Sequence, residues 1–236
     1  MLYNLLFKGI NKLRDYYKKI IQKLKNTTLY LYFFIKGNPY CIKRGYIEKT
    51  KYIYFDDTPF QDEYQNEVYQ AALKLAQEKQ LFQILDYGCG SGYKLMKYFA
   101  NYKTIGVEVE QTIQFLTKKY PNRIWLCEAN LPENIQADLV ICADVIEHLL
   151  NPQELILKLK NIPQVQYFVF STVDRDILRG KNDWGPPKNP YHVREWNSDE
   201  FRRYLSQHFE ILEHYITNYQ QGTQMIICKK INSYDS

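Results

Sequence analysis

The chain has 236 residues, of which 45% are apolar and 16% aromatic, so it can bury the core of one domain and cannot be disordered throughout. Its net charge of +5 is unevenly spread, because twelve Lys and Arg against two acids give residues 1–51 a charge of +10 and leave −5 for residues 52–236. The acidic body argues against a nucleic-acid groove running across it.

The apolar runs and the cysteine pattern indicate in which cellular compartment the protein lies. The longest apolar run, residues 29–35, is shorter than the about 20 residues that cross a bilayer. Lys8, Lys12 and Arg14 interrupt the first apolar residues, which argues against a secretory signal. The five cysteines form no CxxC pair, which favours reduced thiols in a cytoplasmic protein.

The N-terminal region predicts a basic amphipathic helix. Apolar residues recur every three or four positions over residues 3–25, with Lys and Arg in the gaps. Such a helix either packs on the domain or lies on an anionic membrane surface. We therefore expect a basic extension over residues 1–60. In the second case, residues 3–35 contact the inner face of the membrane.

Residues 61–236 alternate between helical patterns and short apolar runs, which predicts an α/β domain. Near-continuous apolar strands indicate a parallel sheet that is covered on both faces. The predicted strands cover residues 82–85, 104–107, 124–126, 139–142, 167–170, 209–216 and 223–229. The predicted helices cover residues 61–79, 91–100, 110–119, 152–161 and 197–207.

The first strand runs directly into a glycine-rich turn. The pattern D-x-G-x-G-x-G extends from Asp86 to Gly92. Glycine accepts positive φ and lets a ligand approach the main chain, and open α/β sheets bind ligands at this strand end. Glu108 ends the next strand, where its carboxylate can accept hydrogen bonds from both hydroxyls of a ribose. These residues predict a site for a cofactor that contains a nucleoside.

Two classes of cofactor are bound by a glycine turn together with a carboxylate at the end of the next strand. A dinucleotide turn would need glycine at position 93, where Tyr93 stands, and would give Asp86 no role. S-adenosylmethionine (SAM) has no phosphate, but it has an ammonium group that Asp86 can attract directly or through water. The sequence therefore favours SAM.

These motifs identify residues 82–228 as resembling the class I SAM-dependent methyltransferases. Further matching pieces are Gly106-Val-Glu108, Glu128-Ala129-Asn130 and the strand that ends at Asp144. The resemblance implies a Rossmann-like seven-stranded sheet of order 3-2-1-4-5-7-6 with strand 7 antiparallel, here with an N-terminal helical extension.

The resemblance also implies cofactor-binding roles. Glu108 would hold the ribose, Glu128 and Ala129 would lie at the adenine, and Asp144 would lie near the sulfonium. The full set of expected cofactor-binding residues is Asp86, Gly88, Cys89, Gly90, Ser91, Gly92, Glu108, Glu128, Ala129 and Asp144.

The pattern D-x-x-E-H from Asp144 to His148 resembles O-methyltransferases of quinone biosynthesis and of small-RNA 3′ ends. In both groups the acids and the histidine are associated with a divalent cation. One helical turn can present Asp144, Glu147 and His148 together, and His192 can supply a later ligand. The sequence favours a site without metal, with Glu147 paired locally, and keeps these four residues as the alternative ligands.

Residues 174–196 form a long loop, and loops of this length in a compact domain are usually functional. The mixed charge of the loop suits a sugar-like ligand better than a phosphate chain. The predicted substrate-binding residues are Trp184, Arg194 and Trp196; alternatively, both tryptophans belong to the core of a rigid lid. With residues 55–64, the loop is similar to bacterial methyltransferases associated with glycosyltransferases of surface-polysaccharide synthesis.

A hydroxyl acceptor needs a base, and histidine titrates near neutral pH, so His148 and His192 are the predicted catalytic residues. The expected function is SAM-dependent O-methylation of a saccharide or another small-molecule hydroxyl. An RNA methyltransferase that uses the basic N-terminal region and a SAM-binding scaffold without catalysis are the alternatives. The expected partner is a small-molecule or glycan substrate rather than nucleic acid.

Overall fold

The computed structural model of the protein describes residues 38–56, 58–59 and 64–231. The helix predicted over residues 3–25 and the membrane contact predicted for residues 3–35 lie outside these residues. Among the helices of the described part, none combines the length and the apolar character that crossing a membrane requires.

Helices and strands alternate from residue 66 to residue 179, and a helix and a hairpin follow. The helices are α1 (Asn66–Lys79), α2 (Tyr93–Phe99), α3 (Glu110–Lys119), α4 (Pro152–Lys160), α5 (Arg175–Arg179) and α6 (Ser198–Ser206). The strands are β1 (Gln83–Tyr87), β2 (Lys103–Glu108), β3 (Ile124–Cys127), β4 (Leu139–Ala143), β5 (Tyr167–Val173), β6 (Phe209–Asn218) and β7 (Thr223–Lys230).

The seven strands form one sheet in the order β3-β2-β1-β4-β5-β7-β6. Strands β1 to β5 pair in parallel, and β7 pairs antiparallel with both of its neighbours. The predicted α/β fold and strand order are confirmed. The carboxyl ends of β1, β2 and β4 lie side by side, so the loops that follow these strands meet at one edge of the sheet.

The central strands are buried because both faces of the sheet are covered. In β4, Val140 and Cys142 pack into one apolar cluster, while Leu139, Ile141 and Ala143 pack into a second cluster. A strand with both faces covered reads as a continuous apolar run, which is why the sequence pattern found it.

The long loop after β5 contains a helix that the sequence pattern did not predict. Helix α5 has five residues. Asp174 is its N-cap, and the Asp174 side chain accepts hydrogen bonds from the amides of Asp176 and Ile177. A five-residue helix is too short to show a repeat of apolar residues, so periodicity could not reveal it.

Residues 38–56, which the sequence analysis placed in the extension before residue 61, pack against the domain; the boundary at residue 60 stays a prediction. Ile42 and Tyr46 are buried in the main apolar cluster. The amides of Ile47 and Lys49 donate hydrogen bonds of 2.8 and 2.9 Å to the carbonyls of Trp184 and Val193. The basic charge of this region led the sequence analysis to separate it from the domain, although its apolar residues pack inside.

Replacing Ile42 with alanine tests this packing. Ile42 is 3% exposed, so Ile42→Ala leaves a cavity and lowers the free energy of unfolding by about 2–5 kcal/mol in urea titrations. Ile53 lies in the same segment but is 49% exposed, and Ile53→Ala changes that free energy by less than about 0.5 kcal/mol. Equal effects of the two variants would contradict the packing.

Candidate cofactor and acceptor site

The glycine turn after β1 has the backbone that the sequence predicted. Gly88, Gly90 and Gly92 have φ angles of 75°, 52° and 70°, in the left-handed region that other residues rarely adopt. A Cβ atom on Gly88 would lie 2.3 Å from Cγ2 of Val145, which follows β4. Glycine at position 88 is therefore required both by the backbone and by the close approach of the β4 loop.

Glu108 ties this turn to the end of β2. Its Oε1 accepts a 3.0 Å hydrogen bond from the amide of Gly90, and its Oε2 accepts a 2.9 Å hydrogen bond from the amide of Val109. A carboxylate oxygen can accept a second hydrogen bond, and Glu108 lines a cavity at this edge of the sheet. This geometry fits the predicted contact with ribose hydroxyls.

One cavity of about 1010 Å³ extends from the glycine turn to the loop after β5. This volume is at the upper end of the range of ligand pockets, about 300–1,000 Å³, and leaves room for a cofactor and a small acceptor. The predicted cofactor residues that line the cavity are Gly88, Cys89, Glu108, Glu128 and Asp144. Those that do not line it are Asp86, Gly90, Ser91, Gly92 and Ala129.

Asp86 lies behind the turn rather than in the cavity wall. It is fully buried, and the hydroxyl of Tyr69 on α1 donates a 2.8 Å hydrogen bond to its Oδ2. Ala129 is exposed on a short 3-10 helix, Glu128–Asn130, outside the cavity. The contacts predicted for Asp86 and Ala129 with the cofactor remain predictions.

Asp144 at the end of β4 has an unusual backbone. Its φ of 53° is in the left-handed region, although it is not a glycine. Ser171 on β5 holds it there: the Asp144 amide donates to the Ser171 carbonyl, and the Ser171 hydroxyl donates a 2.6 Å hydrogen bond to Oδ1 of Asp144. Such local strain is held in place by its surroundings and is concentrated at functional sites.

Glu147 and His148 follow on a second short 3-10 helix, Ile146–His148. Burial and the nearby charge of Asp144 raise the pKa of Glu147 well above its usual value, which favours the protonated acid. Burial and the neighbouring His192 lower the pKa of His148 to about 4, so its ring is neutral at pH 7. Nδ1 of His148 lies 3.0 Å from the Tyr191 carbonyl, which can only accept, so Nδ1 donates and Nε2 carries the lone pair.

His192 is oriented on both sides of its ring. Nδ1 donates a 2.8 Å hydrogen bond to Oε1 of Glu195, and Nε2 accepts a 2.9 Å hydrogen bond from the side-chain amide of Asn189. The amide direction is fixed because the Asn189 oxygen accepts from the Tyr191 amide at 3.0 Å. Both His192 and Asn189 line the cavity.

The sequence analysis did not select Glu195, which pairs with His192. Burial raises its pKa, but the hydrogen bond and charge of His192 and the charge of Arg179 outweigh burial and keep the pKa below its usual value. Arg179 Nε lies 2.7 Å from Oε2 of Glu195. The only signal in the sequence was the spacing of three residues between His192 and Glu195.

Three of the four alternative metal ligands come together. A carboxylate oxygen of Glu147 and one ring nitrogen each from His148 and His192 lie within 4.8 Å of one another. Two imidazoles and a carboxylate are suitable donors for a divalent transition metal, so the residues fit such an ion. Asp144 is outside this group, and its Oδ1 accepts the Ser171 hydroxyl.

Two of the residues predicted to contact substrate, Trp196 and Arg194, are buried away from the cavity. Trp196 is fully buried in the main apolar cluster, and its Nε1 donates a 2.8 Å hydrogen bond to the Tyr40 carbonyl. Arg194 is also buried, at 3.0 Å from the carboxylate of Glu48. Neither residue lines the cavity, and of the two tryptophans that the alternative of a rigid lid places in the core, Trp196 is buried and Trp184 is not.

Trp184, the third residue predicted to contact substrate, does not line the cavity either. Its ring is about half exposed, and Nζ of Lys43 lies 4.3 Å from the ring centre. The sequence analysis grouped the three residues because they share one loop, but the loop turns these side chains away from the cavity.

Comparisons with known proteins agree with this site. Residues 60–214 match the family described as "Methyltransferase domain". A probable SAM-dependent methyltransferase of Mycobacterium tuberculosis is 30% identical over 130 residues, which cover 52% of this chain and 46% of the relative. The match thus spans about half the length of that relative.

Solved structures share the fold. A SAM-dependent methyltransferase from Clostridium acetobutylicum superposes with a TM-score of 0.56 and 15% identity, over 75% of this chain and 96% of that one. Magnesium protoporphyrin IX methyltransferase from Synechocystis, with bound SAH, gives a TM-score of 0.52 and 16% identity, over 71% of this chain and 84% of that one.

The chain belongs to the methyltransferase-domain family, since the family match covers more than half of it. Its domain is a class I SAM-dependent methyltransferase domain, and SAM is the cofactor of that domain.

Replacing Glu108 tests the cofactor contact. Glu108→Ala removes the carboxylate predicted to accept from the ribose and frees the Gly90 amide, and we expect it to weaken SAH binding by roughly 10–100-fold in calorimetry. Glu133 is exposed outside the cavity, and Glu133→Ala leaves the affinity unchanged. Full affinity in the Glu108 variant would contradict the assignment.

Proposed function

We propose that the protein methylates a hydroxyl group of a saccharide or another small-molecule acceptor, with His192 as the general base. The observation that carries the proposal is the buried Glu195–His192 pair at the cavity wall, with Nδ1 2.8 Å from the carboxylate oxygen. When bound, SAM supplies the methyl group on a sulfonium, and Gly88, Cys89 and Glu108 are the cavity residues that would hold it.

Glu195 prepares His192 for proton transfer. A carboxylate can only accept, so it fixes Nδ1 as the protonated nitrogen and leaves the lone pair on Nε2. In the proposed role, Nε2 takes the hydroxyl proton while the acceptor oxygen gains the methyl group, and the acceptor displaces the amide of Asn189 from Nε2. The negative charge of Glu195 then stabilises the imidazolium, as carboxylates do in histidine-based triads.

His148 supports this arrangement as a neutral neighbour. Its ring contacts His192 edge to face, with 4.9 Å between the ring centres. The low pKa of His148 makes it a weak base but removes a positive charge that would oppose protonation of His192. We therefore assign the proton to His192 and a positioning role to His148.

Trp184 and Trp196 lie outside the cavity, so support for a saccharide acceptor does not come from them. It comes from the resemblance to methyltransferases of surface-polysaccharide synthesis and from the excess of carboxyl groups over cationic side chains in the cavity lining, which disfavours phosphate chains. The same lining argues against RNA as the acceptor. Contact of residues 3–35 with a membrane, which would bring the enzyme to a glycolipid at the cytoplasmic face, belongs to the same proposal.

A divalent cation is the second candidate, favoured by the cluster of Glu147, His148 and His192. A cation at these residues would lower the pKa of an acceptor hydroxyl. In that case both histidines act as ligands, and neither takes the proton.

Variants of His192 and Glu195 test whether His192 is the general base. With labelled SAM and an acceptor found in a panel of saccharides, glycolipids, phenols and RNA, His192→Ala lowers kcat by about 10²–10⁴-fold while SAH affinity is retained. Glu195→Gln lowers kcat by roughly 10–100-fold because an amide stabilises the imidazolium less. His214 lies on β6 outside the cavity, and His214→Ala keeps full turnover. Normal turnover in the His192 variant would contradict the assignment.

Chelation distinguishes the two candidates. If His192 is the base, EDTA leaves methyl transfer unchanged and calorimetry shows no tight binding of Mn²⁺. If a cation is required, EDTA abolishes transfer, Mn²⁺ restores it, and Glu147→Gln weakens Mn²⁺ binding by about 10-fold or more. The second result would replace the base mechanism.

A further inference from the structure

A segment before α1 crosses the mouth of the cavity. We call residues 52–55 the strap. Its Tyr52, Tyr54 and Phe55 side chains all line the cavity. At one end of the mouth, the Tyr54 hydroxyl lies 2.7 Å from the Thr112 hydroxyl on α3, which follows the cofactor residue Glu108. Tyr54 therefore places this part of the strap beside the cofactor end of the cavity.

The other end of the strap reaches the histidines. The ring centre of Phe55 lies 4.8 Å from that of Tyr191. Tyr191 directly precedes His192 in the chain, and its carbonyl accepts the hydrogen bond from His148. A ligand that packs on Phe55 and Tyr191 thus lies next to both histidines.

The position of the strap is set by the same contacts that hold the histidine loop. Glu48, just before the strap, forms the 3.0 Å ion pair with Arg194. Arg194 also donates hydrogen bonds to the carbonyls of Leu149 and Leu150, which follow His148. One buried arginine therefore connects the segment that leads into the strap to the residues after His148.

Three of the aromatic side chains that line the cavity are partly exposed. Tyr52, Phe55 and Tyr64 are 45%, 42% and 59% exposed, although all three face a concave surface. Exposed apolar groups around a cavity are typical of ligand-binding sites. Flat aromatic faces favour ligands that present a flat or apolar ring face.

The charge of the lining restricts the ligand further. Among the described residues, the cavity is lined by five carboxyl groups and one cationic side chain, which are Glu108, Glu110, Glu128, Asp144, Glu147 and Lys94. Lys94 is buried and lies near the ring of Tyr69, at 5.8 Å from the ring centre. Even without Glu147, the lining holds four carboxyl groups and one cationic side chain, so a phosphate or carboxylate ligand would meet more negative than positive groups in this cavity.

We infer that Phe55 of the strap and Tyr191 form the acceptor subsite, and that it binds an uncharged ring carrying a hydroxyl group, without phosphate near that hydroxyl. The inference rests on the proposed function for the reaction but concerns binding alone. Both a sugar ring and a phenol have this chemistry.

Binding to the SAH complex of the full chain tests the subsite without turnover. Saturation-transfer NMR would measure the binding of phenyl β-glucoside and of its 6-phosphate. Methyl β-glucoside, which has only the sugar ring, and p-cresol, which has only the phenol ring, show which of the two rings is bound. We expect phenyl β-glucoside to bind and its phosphate to bind at least about 10-fold more weakly. Phe55→Ala weakens binding by roughly 5–10-fold, whereas Ile53→Ala, in the same strap but outside the cavity lining, does not.

Equal or tighter binding of the phosphate, unchanged binding in Phe55→Ala, or no binding by any of the four compounds would overturn the inference. His192→Ala separates this result from the reaction. If that variant binds the ring normally and also turns over normally, the proposed base is wrong while the subsite stands.

Discussion

The buried carboxylate of Glu195 is the interaction on which the acceptor side of the site depends. Its Oε1 accepts a hydrogen bond from Nδ1 of His192, and its Oε2 forms an ion pair with the guanidinium of Arg179. Its amide donates to the Tyr46 hydroxyl, and its carbonyl accepts from Arg175. A buried carboxylate is costly unless it is paired, and here the partners that compensate it are Arg179 of α5 and His192 of the loop that follows α5. The need to pair one charge thus holds α5 and this loop together, while Tyr46 contacts only the Glu195 backbone.

The cofactor side is built from a different constraint. The glycine turn needs left-handed backbone, and its close contact with Val145 brings the β4 loop against it. The left-handed Asp144 then redirects the chain so that Glu147 and His148 face the loop after β5. Parallel strands place these loops at one edge of the sheet, so cofactor and acceptor groups share one cavity.

Features with a strong local signal could be predicted from the sequence. The strands, the glycine turn and the placement of Glu108 follow from apolar runs and from glycine's freedom of φ, both of which are visible in single segments. The strand order came from the resemblance to the class I methyltransferases. Trp196 and Arg194 could not be placed, because residue type does not show which way a loop side chain points. The role of Glu195 and the packing of Ile42 depend on contacts between residues far apart in the chain, which one sequence does not reveal. The predicted helix over residues 3–25 remains a prediction.

The central claim is that Glu195 holds His192 with its proton on Nδ1 and its lone pair on Nε2. Imidazole ¹⁵N NMR of the protein, at a pH at which the spectrum shows the His192 ring to be neutral, measures this directly, because protonated and unprotonated ring nitrogens have different shifts, and the chain has only four histidines to assign. The account predicts that His192 is the Nδ1–H form, and that Glu195→Ala shifts it to a mixture of both tautomers. A His192 ring protonated on Nε2 alone in the unaltered protein would contradict the account.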